Sequence, residues 1–302
     1  MALRTSLRSL ARRLGRVIPV KWRLRAIEGV LRLQEPGVRR LYNRTAVAPN
    51  YLTIDDLDAL AREFPVERQT YLYDADTLEK RGEERARPLL DLVAGKGTFL
   101  EIGAADGMVL RAIAQRGHTA IGVDILASNL DARAREAGVR FIQTDATRLC
   151  FPDESVDVVY SFATFEHLPD PDATFAEIVR VLKKGGYACI DFAGLGWTYR
   201  GAHMYKTFGI PFITALFTRE TIDRYVAEHQ LPHYFPSINN WPIERFREVF
   251  RKYEPQMERI RYSETKDRFH FRFIRRFMPH LRRAPSFDSL LVDQVEGLFR
   301  KR

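Results

Sequence analysis

The sequence predicts an α/β fold, a doubly wound sheet of parallel strands. Three observations predict it. The run Phe99-Leu100-Glu101-Ile102-Gly103-Ala104-Ala105-Asp106-Gly107 is an apolar strand ending in a glycine turn. Single acids, Asp124 and Asp145, follow the next two apolar runs and stand 21 residues apart. From about residue 76 to residue 192, short apolar runs alternate with helix-length amphipathic segments, the pattern of parallel strands joined by crossover helices.

Residues 98–102 form the first strand, buried on both faces because nearly every position is apolar. A helix follows over 107–115 and stops at Gly117, and residues 119–123 make the second strand. Ser128 and Asp131 supply a capping pattern for a helix that ends at Gly138. The third strand is 139–143 and the fourth 156–160. Asp170 then caps a helix with Pro171 in its first turn and Phe175, Ile178, Val179 and Leu182 on its core face. Gly185-Gly186 ends that helix, and 187–192 make a fifth strand.

With 302 residues, 45% of them apolar, the chain can bury one full α/β core plus an appendage, which excludes a disordered or fibrous protein. Cys150 and Cys189 lie far apart, each among strand-like apolar residues, so buried thiols in a reducing compartment are expected rather than a disulfide. The uncharged stretch 207–218 is too short to span a membrane. There is no internal repeat or low-complexity tract. The net charge of +9 is uneven: residues 1–44 carry 12 Lys/Arg against 2 acids, residues 45–243 carry 20 against 28, and residues 244–302 carry 16 against 9. The first basic arm aligns Leu3, Leu7, Leu10 and Leu14 on one helical stripe among arginines. That pattern fits attachment to an anionic membrane surface, an organelle-targeting peptide, or a solvated helix packing its leucines on the domain. A secretory signal is not expected, because Arg16 and Lys21 interrupt the apolar run.

The segments FLEIGAADG, IGVD, QTDA, FPDESVDVVYSFATFEHL and VLKKGGYACIDF, in that order, resemble the successive motifs of class I S-adenosylmethionine-dependent methyltransferases, in particular the type 11 group. The resemblance covers roughly residues 80–192. It implies a Rossmann-like seven-stranded sheet, mostly parallel, with 257–262 as the sixth strand and 295–300 as an antiparallel last strand. It also implies S-adenosylmethionine as cofactor. On that resemblance, Glu101, Gly103, Ala104 and Gly107 curve beneath the methionine and ribose, and Asp124 accepts hydrogen bonds from both ribose hydroxyls. Ile125 packs on the adenine, Asp145 takes its amino group, and the Ala146 N–H meets a ring nitrogen. Backbone at Ser161 and Phe162 holds the methionine ammonium. Many members have cysteine or a further glycine where Ala104 and Ala105 stand, so the turn is slightly bulkier here. A nicotinamide dinucleotide site fits poorly, because it wants G-x-G-x-x-G. The turn offers Gly103-x-x-x-Gly107 with Asp106 inside, where a carboxylate would repel a diphosphate.

Residues 1–50 are expected as a basic amphipathic extension and 51–302 as the methyltransferase domain. Within the latter, the aromatic-rich insertion 193–240 is expected to act as a substrate lid, and 263–294 form a second, basic and aromatic insertion before the last strand. The interleaved arginines and aromatics of 268–277 suit a nucleic acid, a lipid surface, or a helix snorkelling its arginines over the core. His167, just after the fourth strand, and His203, in the lid, are the candidate bases for a hydroxyl acceptor. Each has the alternative of a loop-packing histidine. Tyr71, Tyr73, Trp197 and Tyr199 are candidates to line the pocket. Some quinone-pathway O-methyltransferases of this family bind a divalent metal through acids preceding and including such a Glu-His pair. Ala163 stands where the earlier glutamate would be, and no metal is expected. The expected activity is methyl transfer to a small-molecule, glycan or lipid-like acceptor at oxygen, in the cytoplasm and near a membrane, with the mitochondrial matrix as alternative. A nucleic-acid methyltransferase and a catalytically silent cofactor-binding scaffold are the competing readings, and a nucleic acid is not the expected partner.

Overall fold

The apolar runs pair side by side in one sheet, most of the parallel ones joined by the helices between them. In the computed structural model, which describes residues 20–66, 74–126, 129–201, 203–231 and 239–302, seven strands form one sheet in the order β3-β2-β1-β4-β5-β7-β6. They are β1 (Thr98–Ile102), β2 (Thr119–Asp124), β3 (Arg140–Gln143), β4 (Val156–Phe162), β5 (Leu182–Ala193), β6 (Met257–Lys266) and β7 (Val292–Lys301). The first five run parallel, and β7 lies antiparallel between β5 and β6. β1 and β4, buried on both faces, occupy the centre. The carboxyl ends of β1, β2 and β4 thus lie side by side, where open α/β sheets bind ligands.

Several boundaries differ from the sequence expectation. The helix Pro171–Val181 gives way directly to β5 at Leu182, which already pairs with Val156, so Gly185-Gly186 lie inside the strand rather than ending the helix. β6 runs on to Lys266 because it is an edge strand whose exposed charged residues, Arg259 and Arg261 among them, mask its pattern. Asp131 does cap the Ala132–Glu136 helix, accepting the Arg133 N–H, whereas Ser128 lies outside the described residues. The expectation of two buried thiols is corrected: Cys150, in the loop after β3, is exposed, because the apolar run there belongs to a loop edge and not to a strand. Cys189, in β5, is mostly buried, and burial pushes its thiol up to about 11.

The basic extension, the 193–240 insertion and the 263–294 insertion share one core. Tyr42 of the helix Val20–Arg44 and Leu57 of the helix Ile54–Glu63 pack in one cluster with Phe212, Leu216, Phe271 and Phe287. The Tyr42 hydroxyl donates to the Ala284 carbonyl at 2.8 Å. The arginine–aromatic segment therefore turns Phe271, Phe273 and Ile274 inward, while Arg268 pairs with Glu28 and Glu35 and Arg276 with Glu63. The leucine stripe of residues 3–14 falls outside the described residues. Among the described residues no helix is long and apolar enough to cross a membrane.

Asp288 ties this helical layer together, accepting from Arg39 at 2.5 Å, Lys266 at 2.9 Å and Arg247 at 3.1 Å. Burial alone would raise its carboxyl, but the Arg39 and Lys266 hydrogen bonds outweigh burial and hold it well below the usual carboxylate range. Its stabilising contribution is therefore present in full above the unfolded pKa of about 4 and is lost as pH falls below that value. Asp288→Asn is expected to cost about 1.5–3 kcal/mol at neutral pH, the scale of hydrogen bonds to charged groups. Urea denaturation of both proteins should show the difference shrinking below about pH 4; a difference constant with pH would remove the ionic account.

Candidate functional site

β1 delivers Glu101 and then turns sharply into the helix Met108–Ala114. The N–H groups of Gly103 and Ala104 both donate to the Val123 carbonyl, at 2.9 and 3.1 Å, which pins the turn to the end of β2, and the Gly107 N–H closes it on the Ala104 carbonyl at 2.8 Å. Asp106, the acid inside the turn, accepts the Met108 N–H at 3.0 Å and a hydrogen bond from Arg81 at 2.6 Å. Its charge is matched within the protein. Glu101 is buried against Tyr160, whose hydroxyl donates to it at 3.1 Å, and burial drives its carboxyl well above the usual range.

Asp124 ends β2 with Oδ2 accepting the Ala105 N–H at 3.2 Å and Oδ1 accepting the Leu126 N–H at 3.0 Å. A carboxylate offers about four lone-pair positions, so two remain for a ligand's hydroxyls. Beside it, Ile125 is 66% exposed and Leu126 55% exposed, an open apolar surface of the kind a flat heterocycle covers. The Gln143 amide donates to the Ile125 carbonyl at 2.9 Å and the Thr144 N–H to the Asp124 carbonyl at 3.0 Å, joining this loop to the one carrying Asp145. Asp145 is exposed and accepts the Thr147 N–H at 2.8 Å; Ala146 is buried. Ser161 is buried, its hydroxyl donating to the Ile102 carbonyl at 3.0 Å, and Phe162 ends β4 under the Arg85 guanidinium, 4.9 Å above the ring.

The loop after β4 carries the second half of the site. Glu166 is fully buried, and neither carboxylate oxygen has a hydrogen-bond partner among the described residues. The His203 Nε2 lies 3.7 Å and the His167 Nε2 3.9 Å from its Oε1, and the two imidazole rings stack with centroids 5.3 Å apart. Asn239 clamps this loop, donating from its amide to the Phe165 and Leu168 carbonyls at 2.8 and 3.0 Å and from its N–H to the Glu166 carbonyl at 2.9 Å. The structure thus brings both candidate bases together around a carboxylate. Of the expected lining aromatics, Tyr199 stacks on His270 at 4.6 Å and Trp197 donates to the Asn240 carbonyl, both packed with the helical layer, while Tyr71 and Tyr73 lie outside the described residues.

Sequence reasoning missed Arg81, Arg85 and Asn239. The i, i+4 spacing of the two arginines, on the helix Ala75–Leu90 just before β1, was the available signal for a shared face. Nothing local marked Asn239.

A family profile described as a methyltransferase domain matches residues 100–190, from β1 to β5. An uncharacterised methyltransferase of Mycobacterium sp. (strain JLS) is 33% identical over 136 residues, which is 45% of this chain and 52% of that protein, so the chain spans about half the length of that relative. A protein of Xanthomonas campestris pv. campestris named ubiquinone/menaquinone biosynthesis C-methyltransferase is 30% identical over 198 residues, 63% of this chain and 74% of its own length. This chain belongs to the class I S-adenosylmethionine-dependent methyltransferases. A phosphatidylethanolamine N-methyltransferase of Cereibacter sphaeroides is a further relative of this methyltransferase, 31% identical over 143 residues, 45% of this chain and 68% of that protein. The family's cofactor is S-adenosylmethionine, and the geometry accommodates it. Arg81 holds the acid of the turn, and Asp124 keeps lone pairs free beside an uncovered apolar surface.

Proposed function

We propose that this methyltransferase moves the methyl group of S-adenosylmethionine to a hydroxyl oxygen of a lipid-like acceptor. The observation that carries the reading is the buried Glu166 with His167 and His203 at the carboxyl end of β4, contributed jointly by the sheet and the helical insertion. In this reading Asp124 holds the ribose, Ile125 the adenine, Asp145 and the Ala146 N–H the edge of the base, and backbone at Ser161 and Phe162 the methionine ammonium. Methyl transfer is then an in-line displacement governed by positioning. Bound there, the cofactor would supply its methyl group to the acceptor oxygen, with the electron pair of the broken carbon–sulfur bond staying on sulfur, and the hydroxyl proton would pass to the imidazole of His167 or His203, which Glu166 faces.

The acceptor class is supported by surface chemistry. Leu24, Ile27, Val30 and Leu33 are exposed on the helix Val20–Arg44 together with Arg25 and Arg32, and the exposed Phe269 completes a groove of about 550 Å³ with Leu24, Arg25, Glu28, Gly29 and Arg32. Apolar side chains flanked by arginines match an anionic lipid surface. The relatives named for ubiquinone/menaquinone and for phosphatidylethanolamine favour the same class. A nucleic-acid substrate is less favoured, because Arg268 and Arg276 are committed to Glu28, Glu35 and Glu63.

The test uses methyl-labelled cofactor with the full chain, presented with lipid extracts, defined long-chain phenols and alcohols in anionic vesicles, and RNA. Label in an organic-soluble ether is expected, with protein sedimenting on anionic but not zwitterionic vesicles. Label in RNA alone, with activity falling steeply as salt rises, would replace this reading with the nucleic-acid one. Cofactor binding without label in any acceptor would favour the scaffold.

A further inference from the structure

We propose that Glu166, His167 and His203 form a binding site for one divalent transition-metal ion of the zinc or cobalt type. The argument begins with the cost of leaving Glu166 as it stands. A carboxylate removed from water needs an opposite charge or hydrogen bonds to both oxygens, and this one has neither bond. Its neighbours stand 3.7 and 3.9 Å away, beyond hydrogen-bond range. Donors that share an ion at about 2.0–2.2 Å are themselves spaced at roughly 3–3.5 Å. One ligand atom from each of the three residues falls within 4.8 Å of the others, so a small inward shift closes them on a common ion.

The position of His203 is built into the fold. It adopts a left-handed backbone, φ 61°, uncommon for a residue with a side chain, and its ring lies where a Cβ on Gly194 would be, 2.6 Å from the ring Cε1. Its Nε2 is buried without a hydrogen-bond partner. Three elements therefore converge: the loop after β4, held by Asn239, the end of β5 at Gly194, and the insertion carrying His203. In the sequence, Ala163 and the Glu166-His167 pair leave a metal one ligand short, which is why none is expected there; His203, 36 positions beyond His167, joins the pair only through the fold. Two imidazole nitrogens and one carboxylate suit zinc, or cobalt in its place, better than magnesium, calcium or manganese, which prefer oxygen-rich shells. Three protein ligands also leave a coordination position open for an acceptor oxygen.

With an ion bound, the two histidines would be ligands and not bases, and the acceptor hydroxyl, acidified by the ion, would lose its proton to water; that role rests on the proposed function, whereas the binding does not. Full-length protein stripped with EDTA and dialysed would be titrated with cobalt(II), following visible absorption, and with zinc by calorimetry. S-adenosylmethionine titration of the same samples reports folding and the cofactor site. Saturation at one ion per chain is expected. Glu166→Gln and His203→Gln should each weaken binding about 100-fold or more, since even outer-shell changes at metal sites cost 10–100-fold, with cofactor affinity retained. Gly194→Ala, which displaces the His203 ring while keeping all three ligands, should weaken it as well. Absence of saturable binding, or equal binding by wild type and the His203→Gln protein, overturns the site. If metal fails while the cofactor still binds, the methyltransferase reading survives alone; if metal binds and the cofactor does not, the reverse holds.

Discussion

Asp124→Ala is expected to weaken S-adenosylmethionine binding by about 10- to 150-fold, the equivalent of 1.5–3 kcal/mol for hydrogen bonds to a charged group. The carboxylate already accepts the Ala105 and Leu126 N–H groups, so it is held in one orientation before any ligand arrives and loses little freedom on binding. The same two bonds complicate the substitution, because alanine also releases the glycine turn. Asp124→Asn separates the effects: it keeps the shape and one acceptor oxygen but removes the charge, and its loss should be smaller. A 2′-deoxy cofactor analogue tests the contact itself. Wild type should lose affinity for the analogue, and Asp124→Ala should distinguish cofactor from analogue far less. Equal discrimination by both proteins, measured calorimetrically, would remove Asp124 from the ribose. Asp145→Ala should have the weaker effect, because Asp145 is exposed and its carboxylate caps Thr147.

The contrast between these acids shows how far the sequence carried. The strand–turn–helix around Gly103 and the ends of β2 and β3 were legible because local pattern decides them: buried parallel strands are continuous apolar runs, and the acids punctuate their ends. The antiparallel last strand came with the family resemblance, since no periodicity in residues 292–301 fixes a neighbour, and the order of the strands was not legible at all. What stayed hidden depends on contacts distant in sequence. Arg39, Lys266 and Arg247 meet at Asp288 only after the helical layer has assembled, and in the sequence each is one more exposed-looking cation. The aromatic and basic segment 268–277 looked like a ligand surface for the same reason, although Phe271 and Phe273 are core and two of its arginines answer glutamates more than 200 residues away. Cys150 failed in the other direction, because an apolar neighbourhood in sequence did not become a buried one.

Gly103→Ala should be the most damaging small substitution in the site. Gly103 has φ 75°, a region that costs an L-residue roughly 1–2 kcal/mol. A Cβ there would fall 2.1 Å from the Thr164 Oγ1, 2.5 Å from its Cγ2 and 2.8 Å from its Cβ. Relief requires Thr164 to move, and Thr164 precedes Glu166 and His167 by two and three residues in a loop whose other end Asn239 clamps. Overpacking of this kind costs about 1–3 kcal/mol, so the single variant is expected to lose roughly 2–5 kcal/mol in all. The strain acts at once on the turn beside Asp124 and on the loop carrying Glu166. The two costs separate in a double-mutant cycle with Thr164→Gly, which empties the space the new Cβ needs but leaves the backbone penalty. A coupling energy of about 1–3 kcal/mol is expected by urea denaturation. Cofactor affinity should recover partly in the double variant. Strict additivity would mean that the backbone alone demands glycine, and that the turn and the β4 loop are independent structures that merely adjoin.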